Sequence, residues 1–152
     1  ANLVPDGGFE APAAAWKQHV VAGEFRFGLD DTVSRGGRTS GRIECVRAPQ
    51  PDSTKAWGRW YQTGLPVAAG TRCRLRVWVR TDQAFTGTAD VWFRSGGEHG
   101  DCSVKVRPTH GLWQQVEVGD LVVGPQSPAL YLNLRGATGT VWFDEVELTE
   151  RP

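Results

Sequence analysis

The segment CRLRVWVRT, residues 73–81, constrains the fold more than any other part of the sequence. Two series alternate along it: an aliphatic series of Cys73, Leu75, Val77 and Val79, and a polar and aromatic series of Arg74, Arg76, Trp78 and Arg80. Because successive side chains of a β-strand point to opposite faces, this period of two predicts a strand whose two faces have different environments. Apolar spacing of three and four residues, which a helix needs, persists nowhere in the chain.

Two further segments alternate in the same way. In ADVWFR, residues 89–94, Val91 and Phe93 alternate with Asp90, Trp92 and Arg94, and in LYLNLRG, residues 130–136, Leu130, Leu132 and Leu134 alternate with Tyr131, Asn133 and Arg135. The sequence also predicts strands near 42–47, 57–63, 102–107, 113–123 and 140–148, separated by turns rich in glycine and proline. This pattern predicts an all-β fold, a two-sheet antiparallel β-sandwich of jelly-roll type formed by one domain spanning residues 1–152.

Charge and composition argue against several classes of partner. Lysine plus arginine and aspartate plus glutamate both number 17, so no net charge draws the chain to nucleic acid or to an anionic membrane. No apolar run approaches the roughly 20 residues of a membrane span. The three cysteines, Cys45, Cys73 and Cys102, contain no CxxC pair, and at most one disulfide can form among them. We expect a monomer that binds neither nucleic acid nor membrane.

The face opposite the aliphatic series carries aromatic residues beside hydrogen-bonding ones, which is the chemistry that a sugar needs. A pyranose stacks its C–H face on an aromatic ring, and its hydroxyl groups require donors and acceptors. Around 57–63 a register slip of one residue decides whether Trp57, Arg59 and Tyr61 or instead Trp60 and Gln62 face the ligand. The predicted polysaccharide-binding residues are Arg76, Trp78, Trp92, Arg94, Tyr131, Asn133, Arg135, Trp57, Arg59 and Tyr61.

Arginine is unusually frequent in this predicted set. The guanidinium group is always charged and matches a carboxylate or sulfate with two parallel hydrogen bonds. Arg76, Arg94 and Arg135 therefore raise the possibility of an acidic ligand such as a uronic-acid polymer. Neutral β-glucans and xylans stay open as ligands, because arginine also donates to hydroxyl groups.

Five segments in a fixed order carry a resemblance to a known group of proteins. They are NLVPDGGFE (2–10), GRTSGRIECV (37–46), AAGTRCRLRVWVRT (68–81), WQQVEV (113–118) and GTVWFDEVEL (139–148). In this order they resemble the calcium-binding β-jelly-roll carbohydrate-binding modules of families 4, 9, 16 and 22. The resemblance implies a secreted, non-catalytic module that is attached to a polysaccharide-degrading enzyme and holds a glycan across its concave sheet.

The same resemblance implies a structural calcium ion. It points to Glu10 and Asp144 as side-chain ligands, with backbone carbonyls of the 37–41 loop, those of Arg38 and Ser40, completing the shell. Calcium takes six to eight hard oxygen ligands and mixes carboxylates with carbonyls. The alternative is that Asp144 caps a turn or pairs with Arg151.

The sequence leaves two other functions open. The sandwich could be a structural or interaction module that packs its aromatic face against a neighbouring domain. It could also be a jelly-roll polysaccharide lyase in which Tyr131, Asn133 and Arg135 act as base and neutralising groups on a uronate. The sequence contains neither a GxSxG nor an HExxH motif, and we expect no enzymatic activity.

Overall fold

The computed structural model describes residues 1–11, 15–47, 56–136 and 138–151. These residues form ten strands, β1 (Lys17–Ala22), β2 (Glu24–Asp30), β3 (Ser40–Arg47), β4 (Trp57–Thr63), β5 (Arg72–Thr81), β6 (Thr88–Arg94), β7 (Asp101–Val106), β8 (Trp113–Val122), β9 (Ala129–Arg135) and β10 (Gly139–Glu150). Within the described ranges there is no helix long and apolar enough to cross a membrane.

The strands make two five-stranded sheets, and all the strand pairs are antiparallel. Sheet A has the order β1-β4-β9-β6-β7, and sheet B has the order β2-β3-β10-β5-β8. The chain crosses repeatedly between the sheets, for example from β3 in sheet B to β4 in sheet A and back to β5 in sheet B. The predicted jelly-roll β-sandwich is confirmed.

The aliphatic series of the predicted strands fills the space between the two sheets. Every member of the series in β5, β6 and β9 is buried, namely Cys73, Leu75, Val77, Val79, Val91, Phe93, Leu130, Leu132 and Leu134. Each large apolar side chain buried in this way contributes about 1.5 to 3 kcal/mol relative to exposure in water. The alternation in the sequence therefore predicted which face of these strands forms the core.

Two strands were not predicted from the sequence. β1 lies at one edge of sheet A, and all but the last of its residues are exposed, so its sequence carries no core-facing apolar series. β2 lies at the edge of sheet B and contributes only Phe25 and Phe27 to the periphery of the core. An edge strand with few buried residues lacks the periodic signal that identifies a central strand.

The first residues of the chain extend sheet B beside the second half of β10. The N–H of Leu3 donates to the carbonyl of Leu148 at 2.8 Å, and the N–H of Val146 donates to the carbonyl of Gly7 at 2.9 Å. The Asn2 side chain accepts from the N–H of Leu148 at 3.0 Å and donates to the carbonyl of Val146 at 2.9 Å. The GGFE turn and the last strand are therefore joined by hydrogen bonds that involve no carboxylate.

Candidate ligand-binding face

The outer face of sheet A brings together eight of the ten residues predicted to bind a ligand. In β4 the buried side chains are Trp60 and Gln62, which settles the register that the sequence left open. The outward positions of the three central strands are therefore occupied by Trp57, Arg59 and Tyr61 from β4, Tyr131, Asn133 and Arg135 from β9, and Trp92 and Arg94 from β6.

Three of these side chains form a continuous aromatic ridge, which we define as Tyr61, Tyr131 and Trp92. Tyr131 is the register partner of Tyr61 on one side and of Trp92 on the other, so the ridge runs across β4, β9 and β6. The Tyr61 and Tyr131 ring centroids are 5.9 Å apart with planes 20° from parallel, and those of Tyr131 and Trp92 are 5.3 Å apart with planes at 38°. All three side chains are half-buried, so each ring keeps part of its surface open to solvent.

A polar network lies beside the ridge and consists of Trp57, Asn133, Asp90 and Arg135. The indole N–H of Trp57 donates to Asn133 Oδ1 at 2.7 Å, and Asn133 Nδ2 donates to Asp90 Oδ2 at 2.8 Å. Arg135 Nε donates to Asp90 Oδ1 at 2.6 Å, and its guanidinium carbon lies 3.9 Å from the centre of the Trp57 ring. Asp90 therefore fixes and neutralises Arg135. The ring of Trp57 is held by its hydrogen bond to Asn133 and by the guanidinium group of Arg135.

Arg59 and Arg94 differ from Arg135, because neither forms an ion pair with a described residue. The Arg59 guanidinium lies 4.5 Å from the Tyr131 ring centre and 5.2 Å from that of Trp57, and the Arg94 guanidinium lies 4.8 Å from the Trp92 ring centre. The Nε atom of Arg59 is buried and has no hydrogen-bond acceptor among the described residues. Burial lowers the pKa of Arg59, and the nearby charges of Arg135 and Arg94 act in the same direction.

Two open grooves flank the ridge. A groove of about 460 Å³ is lined by Trp57, Thr88, Asp90, Trp92, Ser103, Lys105 and Arg135, and a groove of about 320 Å³ is lined by Thr63, Arg94, Gln126, Ser127, Ala129 and Tyr131. Volumes of this size hold small ligands in other proteins. Ser103 and Lys105 were not singled out from the sequence, although their spacing of two along β7 places them on the face that also carries Trp92.

The prediction that Arg76 and Trp78 share this face is wrong, because β5 belongs to sheet B. Their side chains point outward from that sheet, on the opposite side of the sandwich from the aromatic ridge. Arg76 is paired with Glu147 at 2.7 Å, and the guanidinium of Arg35 covers the Trp78 ring at 4.2 Å. The alternation within β5 was predicted correctly, but alternation does not reveal which sheet a strand joins.

The other predicted site surrounds a loop that we call the anchor loop, residues 33–40, which packs on the outer face of sheet B. The fully buried Asp144 accepts N–H bonds on Oδ2 from Arg35 at 2.7 Å and Gly36 at 3.1 Å, and on Oδ1 from Glu145 at 2.8 Å. Glu145 has a φ of 46° and lies in the β-bulge that interrupts the pairing of β10 with β5. Burial raises the pKa of Asp144, although the three N–H groups oppose this effect.

Glu10 holds the other half of the anchor loop. Its carboxylate accepts N–H bonds from Arg38 at 2.8 Å and from Thr39 at 3.0 Å, and these bonds lower the pKa of Glu10. The three N–H bonds to Asp144 show that this residue caps a turn, which was one of the two alternatives. The other alternative is wrong, because Arg151 pairs with Asp120 at 3.2 Å and not with Asp144.

The donor set around the anchor loop is compatible with calcium, although N–H groups supply most of its contacts. The described residues contain no cluster of three or more His, Cys, Asp or Glu side chains that could hold a metal ion. Two carboxylates nevertheless converge on one loop, and Asp144 Oδ1 and Glu10 Oε1 each accept a single hydrogen bond and so keep a free lone pair. The remaining oxygens of a calcium shell would have to be carbonyls of the loop, such as those of Arg38 and Ser40.

Catalysis on the aromatic face would need groups that are free to act, and two of the three considered for a lyase, Asn133 and Arg135, are already engaged. Asn133 bonds to both Trp57 and Asp90, and Arg135 is paired with Asp90. The third group, Tyr131, has no hydrogen bond or ion pair from its side chain to another described residue.

Comparison with known proteins supports the fold independently. No protein-family model and no curated protein matches the chain. Solved structures do match it, including a family 61 carbohydrate-binding module in complex with β-1,4-galactotriose, with a TM-score of 0.72, 16% identity and 99% of each chain covered. The xylan-binding CBM22-1 domain of Paenibacillus barcinonensis Xyn10C matches with a TM-score of 0.65 and 17% identity over 95% of this chain and 91% of that chain.

A third match comes from a much larger enzyme chain. The enzymatically active domain of tailspike protein 4 from bacteriophage CBA120 matches with a TM-score of 0.71 and 16% identity, over 99% of this chain and only 21% of that chain. At these identities the comparisons show the fold, which is the jelly-roll β-sandwich of the carbohydrate-binding modules.

Proposed function

We propose that this chain is a non-catalytic carbohydrate-binding module that holds a polysaccharide on the outer face of sheet A. The observation that carries the proposal is the aromatic ridge of Tyr61, Tyr131 and Trp92, which is partly exposed and is bordered by grooves. A contiguous patch of aromatic rings on a solvent-facing sheet surface is typical of an interaction site.

The polar surroundings of the ridge favour a sugar over a purely apolar partner. A pyranose ring would stack its C–H face on the ridge, while its hydroxyl groups would meet Ser103, Lys105 and the guanidinium groups in the grooves. The hydrogen bonds of the polar network hold Trp57, Asn133 and Arg135 in one arrangement before a ligand arrives. Such preorganisation reduces the entropy lost on binding.

The proposal extends to the role and the ligand class of the module. A jelly-roll binding module of this kind would act outside the cell, attached to a glycan-degrading enzyme that it targets to its substrate. The CBM22-1 domain that resembles this chain is a xylan-binding domain of a larger protein, Xyn10C, which is consistent with a module attached to other domains. An acidic polysaccharide is favoured over a neutral one, because Arg59, Arg94, Arg135 and Lys105 outnumber Asp90 and Asp101 on this face.

Affinity electrophoresis against a panel of neutral and acidic polysaccharides tests the binding function. Retardation on at least one polymer is expected, and Trp92→Ala and Tyr131→Ala should each weaken it about tenfold or more, as truncation of a central aromatic contact does. Trp78→Ala is the matched control, since Trp78 lies on the opposite sheet and should leave retardation unchanged. Absence of retardation on every polymer would overturn the proposal and favour an interaction module instead.

Calcium at the anchor loop is a second part of the proposal. Glu10 and Asp144 would hold the ion through their carboxylates, and the ion would supply positive charge that a fully buried Asp144 otherwise gains only from N–H groups. An ion at this position would stabilise the fold on sheet B, away from the ligand face. Thermal unfolding with calcium and with a chelator is the direct test, because a metal bound only by the folded state raises the midpoint.

A further inference from the structure

Two cationic side chains on the ligand face form no ion pair with a described residue, and this points to the chemistry of the ligand. Among the described residues no carboxylate oxygen lies within 4.0 Å of a nitrogen of Arg59 or Arg94, whereas Arg135 has Asp90 at 2.6 Å. The buried Nε of Arg59 has no acceptor at all within the same part of the chain. A buried donor without an acceptor is costly, and a ligand that supplies the acceptor would remove that cost.

The two guanidinium groups lie on opposite sides of the central ring of the ridge. Arg59 is the register partner of Asn133, two positions along β9 from Tyr131 in one direction. Arg94 is the register partner of Ala129, two positions from Tyr131 in the other direction and on the other neighbouring strand. Tyr131 is therefore flanked diagonally by two cations, and one of them lies against its ring.

The carboxylates of this face form their hydrogen bonds with groups other than Arg59 and Arg94. Both oxygens of Asp90 accept hydrogen bonds, one from Arg135 and one from Asn133. Asp101 Oδ1 accepts from the N–H groups of Ser95 at 2.9 Å and Gly96 at 2.8 Å, and so it holds a turn at the edge of the face. Asp101 is also the register partner of Arg94, whose charge helps to lower the pKa of Asp101, although the two form no ion pair within 4.0 Å. Neither carboxylate is placed to neutralise Arg59.

We propose that the ligand of this face carries anionic groups, uronate carboxylates or sulfate esters, that Arg59 and Arg94 bind separately on either side of a sugar ring stacked on Tyr131. This inference rests on the proposed polysaccharide-binding function and names its ligand class. Guanidinium groups pair with carboxylate and sulfate oxygens through parallel, charge-assisted hydrogen bonds. Burial of the Arg59 guanidinium also lowers its pKa, because the charged form is disfavoured away from water. A bound anion would favour the charged form and oppose this effect.

The experiment compares polymers that share a backbone and differ in charge. Binding is measured by affinity electrophoresis and calorimetry with polygalacturonate, the same polymer fully methyl-esterified, a neutral galactan and a sulfated galactan. Polygalacturonate or the sulfated galactan should bind at least tenfold more tightly than its uncharged counterpart, and 0.5 M NaCl should remove most of that difference. Preference for one of the two acidic polymers identifies the source of the anionic groups.

The variants Arg59→Gln and Arg94→Gln locate the anionic groups. Each should weaken binding of the preferred acidic polymer about tenfold or more, and should weaken binding of the neutral polymer clearly less, because only hydrogen bonds to hydroxyl groups are lost there. Arg72→Gln, an exposed position on β5 in sheet B, is the matched control and should change neither. Arg59→Lys and the exposed Arg94→Gln keep the test informative if Arg59→Gln unfolds, because the lysine retains the charge but loses the paired donors.

The outcomes separate this inference from the function on which it rests. Equal binding of neutral and charged polymers, or full affinity of both arginine variants for the acidic polymer, would overturn the anionic ligand while the binding module stands. Binding of no polymer by the wild-type protein would overturn both. Loss of binding in Trp92→Ala together with full affinity in the arginine variants would assign the face to an uncharged glycan.

Discussion

The substitution Asp144→Asn should destabilise the protein strongly even when no metal is present. The asparagine side chain has one oxygen acceptor and one NH₂ donor, so it cannot accept from Arg35 and Gly36 on one side and from Glu145 on the other. Hydrogen bonds to a charged acceptor contribute about 1.5 to 3 kcal/mol each, and the NH₂ group would also face an N–H donor at close range. Since water can reach the outer part of the anchor loop, we expect a net loss of about 2 to 4 kcal/mol.

Urea denaturation in a chelator measures this loss directly. With a dependence on urea of about 2 kcal/mol per molar, the midpoint should fall by about 1 to 2 M. Asp120→Asn is the matched control, because Asp120 has a side chain that is 91% exposed and pairs only at the surface with Arg151. That control should change the stability by no more than about 0.5 kcal/mol.

Repeating both measurements with calcium in excess separates the N–H bonds from the metal. A calcium ion bound by Glu10 and Asp144 should raise the midpoint of the wild-type protein and raise that of Asp144→Asn much less. Equal midpoints for the wild type in calcium and in chelator would count against the ion. An Asp144→Asn protein as stable as the wild type in chelator would refute the role given to the three N–H bonds.

Two further substitutions test the packing and the electrostatics of the fold. Gly41→Ala should lower the free energy of unfolding by about 1 to 3 kcal/mol, because a Cβ at this position would overlap the buried ring of Phe9. Gly28→Ala, which has open space around it, should lower that free energy by less than about 1 kcal/mol. Similar thermal midpoints for the two variants would contradict this contrast. The pKa of Asp101 is lowered from its ordinary value of 3.8 by the N–H groups of Gly96 and Ser95, so its stabilising contribution is present above pH 3.8 and is lost as the pH falls through the lowered value. Asp101→Asn should therefore be less stable than the wild type at pH 6, and the difference should shrink below pH 3.8; a difference independent of pH would exclude this cause.

The sequence allowed the interior of the sandwich to be predicted well, because burial imposes a period of two on each central strand. In β9, Leu132 is buried and Tyr131 faces outward, as the alternation predicted. The same signal exists in β5, where Val77 is buried and Trp78 faces outward. Periodicity describes the two faces of one strand, however, and contains no information about the neighbour to which that strand is hydrogen-bonded.

This limit explains why the predicted ligand face was only partly correct. β5 and β6 follow each other in the chain but lie in opposite sheets, so Trp78 and Trp92 point away from each other across the whole sandwich. The sequence also could not show which arginines of the face are paired, because the ion pair of Arg135 with Asp90 joins residues 45 positions apart. Arg59, which has no such partner, was predicted only as one member of two alternative registers.

The position of the chain ends has a practical consequence for how the protein can be handled. Leu3 is hydrogen-bonded to β10, and the N–H of Arg151 donates to the carbonyl of Arg72 at the start of β5. Both strands belong to sheet B, so a fluorescent protein or a surface tether fused at either end would be joined next to sheet B and not to a strand of sheet A. Immobilisation through such a tether would therefore leave the strands that carry the ridge of Tyr61, Tyr131 and Trp92 without a fused segment, which suits glycan-array and single-molecule measurements.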